Sequence, residues 1–185
     1  MIGLETARLV VRDHRPDDLA GLSALLTDPS AMRYLPELFC ADAAAARRNL
    51  DDSLAEASLR ERTKYFFAIE EKETGAYVGE IGFTIEERRP SGSRADLGYF
   101  LLPAFRGKGY ATEAGRAVVD FAFARAGVWK LQTGCLKENV ASERVMRKLG
   151  FLREGLLRRH QWHEGRWKDR LVYGLLRDDP RGDAV

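Results

Sequence analysis

The segment ADLGYFLLPAFRGKGYATEA, residues 95 to 114, limits the possible folds more than any other stretch of this chain. An apolar run suited to a strand stops at Pro103, and a helix-forming run begins near Tyr110. Between them Gly107 and Gly109 bracket Lys108. Glycine allows the positive φ of a sharp turn and a close approach of the backbone to a ligand. The first N–H groups of the helix that follows have no partners within it and, with its dipole, favour an anion.

Three phosphate-binding patterns compete for this turn. A nucleotide-hydrolase loop requires a Ser or Thr after its lysine, whereas Gly109 follows Lys108. A dinucleotide fingerprint requires a third glycine, and Thr112 stands there. The pattern Arg/Gln-x-x-Gly-x-Gly/Ala is met by Arg106, Gly109 and Ala111. A tight strand-to-helix turn with no ligand is the plain alternative.

Around this turn, hydrophobic spacing gives the order β, two helices, three strands, helix, strand, helix, two strands. Residues 8–12 read as the first strand, and Leu19, Leu22, Leu25 and Leu26 mark the first helix, ended by Asp28-Pro29. A second helix is expected over 42–59, a hairpin from 65–70 and 77–86, and a further strand at 95–102. The helix after the turn ends at Gly127, a strand covers 129–136, and Asn139 caps a short helix ended by Gly150. Strands at 151–159 and 169–176 are expected to be joined by the loop HQWHEGRWK. Such an order indicates an α/β fold, a mixed sheet with helices on both faces.

A chain of 185 residues suits a single core, expected over 1–178 with 179–185 as a frayed tail. Its net charge of +2 is too small to argue for nucleic acid. No apolar run reaches membrane-spanning length, and the N-terminus meets charge too early for a signal peptide. Cys40 and Cys135 read as free thiols, which points to a cytoplasmic protein. A catalytic thiol at Cys135 competes with a small buried apolar residue, the preferred reading.

The central segment, with GEIGF before it and ENVASERVMRKLGF, REGLLRR and DRLVYGLL after it, resembles the GNAT superfamily of acyl-CoA-dependent N-acyltransferases. Within it the chain is most similar to the ribosomal-protein alanine/serine N-acetyltransferase branch. The resemblance implies a mainly antiparallel central sheet with a splayed strand pair that admits acyl-CoA. It implies acetyl-CoA as cosubstrate and a loop from Arg106 through Gly107, Lys108, Gly109, Tyr110 and Ala111 to Thr112 that seats its pyrophosphate. It also implies that backbone groups of Phe100, Leu101 and Leu102 meet the pantetheine arm, and that one amide polarises the thioester carbonyl. Asn139 maps to the family's coenzyme A-contacting asparagine, and a plain helix cap fits it equally. Arg144, Arg147 and Lys148 are either 3′-phosphate contacts or a solvated helix face.

Many members carry a tyrosine seven residues after that asparagine, where this chain has Met146. Ser142 then becomes the candidate partner of the leaving sulfur. For the base, Glu80 is favoured narrowly over Asp96, because Gly79 and Gly82 flank it and leave room for substrate. Glu113 reads as a structural residue in the first turn of the central helix. On the acceptor side Tyr34, Trp162 and His163 are candidate walls. His160 and His163 have no third ligand at metal spacing, so no metal is expected.

An α-amine, with a pKa of about 7.7–8.0, is neutral in about a quarter of molecules near pH 7.4; a lysine amine, about 10.4, in about one per thousand. The resemblance implies transfer of an acetyl group to a primary amine by direct attack in a ternary complex, and the neutral fraction favours a protein N-terminal α-amine. A polyamine, amino acid or antibiotic acceptor is the alternative. A non-catalytic acyl-CoA-binding module is the alternative of another class, kept open by Met146. The expected partners are acetyl-CoA and the amine, without nucleic acid or membrane, in a monomer or homodimer.

Overall fold

The computed structural model describes residues 1–180. Eight strands form one sheet: β1 (Gly3–Glu5), β2 (Leu9–Arg12), β3 (Lys64–Glu71), β4 (Tyr77–Glu87), β5 (Ser93–Leu101), β6 (Val128–Leu136), β7 (Leu152–His163) and β8 (Arg166–Leu176). Their order is β1-β2-β3-β4-β5-β6-β8-β7. Neighbours are antiparallel except β5 and β6, which run parallel. The helices are α1 (Leu19–Leu26), α2 (Ala43–Ser58), α3 (Tyr110–Ala124) and α4 (Val140–Lys148).

Side-chain alternation along the strands separates two cores. On one face Phe67, Ile81, Phe83 and Leu97 pack against Val118, Phe121 and Ala122 of α3. On the other, Phe100 and Phe66 pack against Leu22, Leu25 and Leu26 of α1 and Leu50 of α2. Local chemistry sets the helix starts. Asp42 accepts from the Ala45 N–H at 2.8 Å, and Asn139 Oδ1 accepts from the Ser142 N–H at 3.2 Å.

Two expectations need correction. The first strand is β1, which precedes residues 8–12 and pairs with β2 from Gly3↔Arg12 to Glu5↔Val10. Three residues are too few for a readable period, and pairing alone makes them a strand. The stretch 160–168 is not a loop, because β7 and β8 continue to His163 and Arg166. The turn is only Glu164-Gly165, with φ of 49° and 77°. Positive φ at both central residues suits the twist of a two-residue hairpin. At the other end, Asp179 accepts from the Leu176 N–H at 2.8 Å. The tail expectation for residues 181–185 lies outside the described residues.

Candidate active site

The parallel ladder between β5 and β6 starts at Ser93↔Val128 and stops at Asp96↔Gln132. Beyond it β5 continues to Leu101 and β6 to Leu136 without pairing, so the sheet splits. A cleft of about 640 Å³ occupies the split, lined by residues 97–101 of β5 and 133–136 of β6. Thr133 Oγ1 donates to the Leu97 carbonyl at 2.9 Å and bridges the apex.

Ladder geometry decides which backbone groups face the cleft. The Leu102 N–H donates to the Val78 carbonyl at 3.0 Å, and Phe100 stands opposite Glu80 in the same register. In an antiparallel ladder alternate residues point their N–H and C=O groups to opposite sides. Phe100 and Leu102 are therefore committed to β4, while Tyr99 and Leu101 present theirs to the split. Of the three residues expected to meet a pantetheine arm, Leu101 alone is so oriented, and Tyr99 joins it.

At the far end the turn has left-handed Gly107 and Gly109, with φ of 76° and 84°. The first hydrogen bonds into α3 run from the Thr112 and Glu113 N–H groups to the Gly109 carbonyl. Among the described residues, no acceptor meets the N–H groups from Gly107 to Ala111. Gly107, Gly109, Tyr110, Ala111 and Thr112 line the cleft. Arg106 turns back, donating to the Leu101 carbonyl at 3.2 Å and the Ser30 carbonyl at 3.1 Å. The Lys108 ammonium lies 5.1 Å over the Phe105 ring, and the Tyr110 hydroxyl donates to Glu71. Glu113 holds the N-terminal segment, accepting from Thr6 Oγ1 at 2.6 Å and the Arg8 N–H at 2.8 Å.

Asp96 lines the cleft where the ladder ends. Burial and the nearby Glu86 carboxylate push its pKa up to about 6, against the pull of Arg170 and Arg94. Glu80 does not line this cleft. It is buried, with Oε1 3.0 Å from His14 Nε2. The space expected beside it is filled: a side chain at Gly79 would meet the Phe100 carbonyl, and one at Gly82 the Tyr65 carbonyl.

Ser142 Oγ lies 2.9 Å from the Tyr99 hydroxyl, which also donates to the Ser142 carbonyl at 2.9 Å. Sequence spacing does not single out Tyr99, because the contact joins a strand to a helix far along the chain. Burial raises its pKa and keeps it a phenol. Met146 is fully buried in the core. Cys135 lines the cleft with its thiol 3.7 Å from the Asn139 carbonyl, and burial pushes its pKa up to about 11. It is a thiol at neutral pH, not a ready nucleophile.

Of the candidate acceptor walls, Tyr34 lines the cleft and stacks on His163, which does not line it, with ring centroids 5.5 Å apart. His163 Nε2 lies 2.7 Å from the Arg33 carbonyl. Trp162 is not a wall: it is 57% exposed outside the cleft, edge-on to Trp167. Glu138 and Glu164 approach His163 and form a group of three metal-capable side chains within 4.8 Å. The Lys168 ammonium sits between the two carboxylates, bonded to Glu138 and 3.5 Å from Glu164.

Comparisons with known proteins agree with this architecture. The family model described as the acetyltransferase (GNAT) domain matches residues 8–152. An uncharacterised N-acetyltransferase, p20 of Bacillus licheniformis, is 29% identical over 97% of this chain and 98% of its own. The ribosomal-protein-S5-alanine acetyltransferase of Vibrio fischeri superposes with a TM-score of 0.83 at 18% identity, covering 97% of this chain and 98% of that one. Spermidine N-acetyltransferase of Vibrio cholerae, solved with CoA and spermine, gives 0.80 at 18% identity, over 94% and 98%. A split sheet, a glycine turn with open amides and a family match over most of the chain converge: this protein belongs to the GNAT family and is an N-acetyltransferase.

Proposed function

We propose that the protein transfers an acetyl group from acetyl-CoA to the α-amine of a protein N-terminus. The observation that carries this reading is Asp96, a half-buried carboxylate at the apex of the split, with a pKa pushed up to about 6. Such a group is ionised at neutral pH. It is a base matched to an amine that is already partly neutral.

The cleft suits coenzyme A on its own chemistry. The amides from Gly107 to Ala111 and the N-terminus of α3 form an anion seat for the pyrophosphate. The Tyr99 and Leu101 backbone groups pair with the pantetheine amides as a missing strand would. Bound there, the cosubstrate supplies an activated acyl group. Asp96 takes the amine proton, directly or through one water. With the Tyr99 O–H donated to the Ser142 carbonyl, the Ser142 hydroxyl is the donor left for the leaving sulfur, and Tyr99, held protonated, positions it. Asn139 orders the start of α4 and presents Ser142.

Lining charge separates the acceptors. Asp96 and Glu37 are the acidic lining residues, against Arg33, Arg106, Arg144, Lys148 and Arg170. A polycation meets a poor environment there, although the likeness to a spermine-bound relative keeps polyamines as the second reading. Thiol release from acetyl-CoA, measured with N-terminal peptides and with spermidine, tests the choice. Turnover of peptides is expected, and turnover of spermidine alone would overturn it.

A further inference from the structure

Arg170 lies beside the apex of the split. Its strand, β8, pairs with β6 so that Arg170 faces Leu136 and Val172 faces Gly134. A Cβ at Gly134 would come within 3.0 Å of Arg170 Nε and 3.2 Å of Nη2, so the guanidinium lies flat over this glycine. Arg170 lines the cleft and is half-buried. Nη1 donates to Gln161 Oε1 at 2.8 Å, which fixes the plane of the fork.

No carboxylate lies within salt-bridge distance of Arg170 among the described residues; the Asp96 carboxylate of the same cleft feels its charge from further off, and other acidic groups are near in the chain. Glu154 pairs with Lys130, Glu164 with Arg33, and Glu138 with Lys168. Asp169 accepts the Arg159 N–H at 2.9 Å. A partly desolvated cation with no directly bonded counter-ion is costly unless a ligand completes it. A guanidinium has five donors in a plane, matched to the two oxygens of a carboxylate.

The coenzyme A phosphates are poorly placed to be that anion. From Gly98, as far past Asp96 as Gly134 is past Gln132, extended β5 runs about 10 Å to Leu101, and the anion seat lies beyond Leu101. Gly134, under the guanidinium, is instead near Gln132, the ladder partner of Asp96.

We propose that Arg170 selects the acceptor by binding a carboxylate that the acceptor carries close to its reacting amine. This rests on the acetyl-transfer reading above. The anion is either the carboxylate of a free α-amino acid or an acidic side chain next to a peptide N-terminus. Spermidine has no such group and places a second ammonium against Arg170.

The test uses the full chain with four acceptors: Ala-Glu-amide, Ala-Gln-amide, Ala-Lys-amide and free alanine. Two readouts are taken, kcat/KM for thiol release and acceptor affinity by calorimetry with CoA bound. Ala-Glu-amide is expected to exceed Ala-Lys-amide by at least about tenfold in both, the size of a charge-assisted contact. Arg170→Gln should abolish that ratio, Arg170→Lys retain part of it, and Arg170→Glu invert it. Affinity for CoA should stay within about twofold in every variant, which also reports folding. If free alanine leads, the anion is an amino-acid carboxylate; if Ala-Glu-amide leads, it is a side chain. Ratios near one in wild type, or unchanged in Arg170→Gln, would overturn the proposal while acetyl transfer stands. Charge-dependent binding without turnover would support Arg170 and sink the transfer reading.

Discussion

At the scale of single residues, Asp96 carries opposed demands. Its pKa in the folded chain, about 6, lies above the ordinary value of 3.8. The folded state therefore favours the protonated form, and this stabilisation is present at low pH and lost as pH rises from about 4 to 6. Asp96→Asn should raise the melting temperature at pH 8 by about 2–4 °C, a gain of about 1 kcal/mol after allowance for solvent screening. At pH 4 it should change little, and thermal melts at the two pH values check this. The same variant should lower kcat by about a hundredfold or more near neutral pH and abolish the rise of wild-type kcat through pH about 6. Gly109 is the second sensitive residue. At φ 84° any side chain is strained, and its Cβ would stand 3.5 Å from Arg8 Nη2 beside the turn. Gly109→Glu should abolish acetyl-CoA binding in calorimetry. Residue types and the glycine turn were legible in the sequence, but which of Glu80 and Asp96 lines the cleft was not. That choice depends on which carboxylate His14 and the neighbouring strand enclose.

At the scale of elements, α3 is tied to the N-terminal segment through Glu113. Hydrogen bonds from Thr6 and Arg8, and the Arg8 guanidinium, hold the Glu113 carboxyl below its usual range against the opposing effect of burial. A lowered folded pKa gives stability above the unfolded pKa that is lost as pH falls. Glu113→Ala should cost about 1–2 kcal/mol at pH 7, with the difference shrinking toward pH 3 in urea melts. Element types and order were largely readable, since apolar stripes such as Leu19, Leu22 and Leu26 repeat at helical spacing. The long β7–β8 hairpin was not. Its polar and aromatic tip looks like a loop until cross-strand pairing of Trp162 with Trp167 and His163 with Arg166 is known.

At the scale of the whole molecule, the hairpin tip reaches the loop after α1. Tyr34 stacks on His163, and Arg33 Nε lies 3.1 Å from Glu164 Oε1. This contact ties the hairpin tip to the loop after α1 at Arg33 and Tyr34, both of which line the cleft. His163→Ala should raise the acceptor KM about tenfold and leave the acetyl-CoA Kd unchanged, as steady-state kinetics and calorimetry would read. Local sequence was enough for most elements, their order and the glycine turn before α3, but not for β1 or the hairpin tip. These follow from local spacing and backbone freedom, which a linear chain displays. Where β5 and β6 part, which backbone groups face the gap, and the meeting of Asp96, Tyr99 and Arg170 in one cleft came from the three-dimensional fold. These depend on strand register and on contacts between residues remote in the chain, and local spacing carries no record of either.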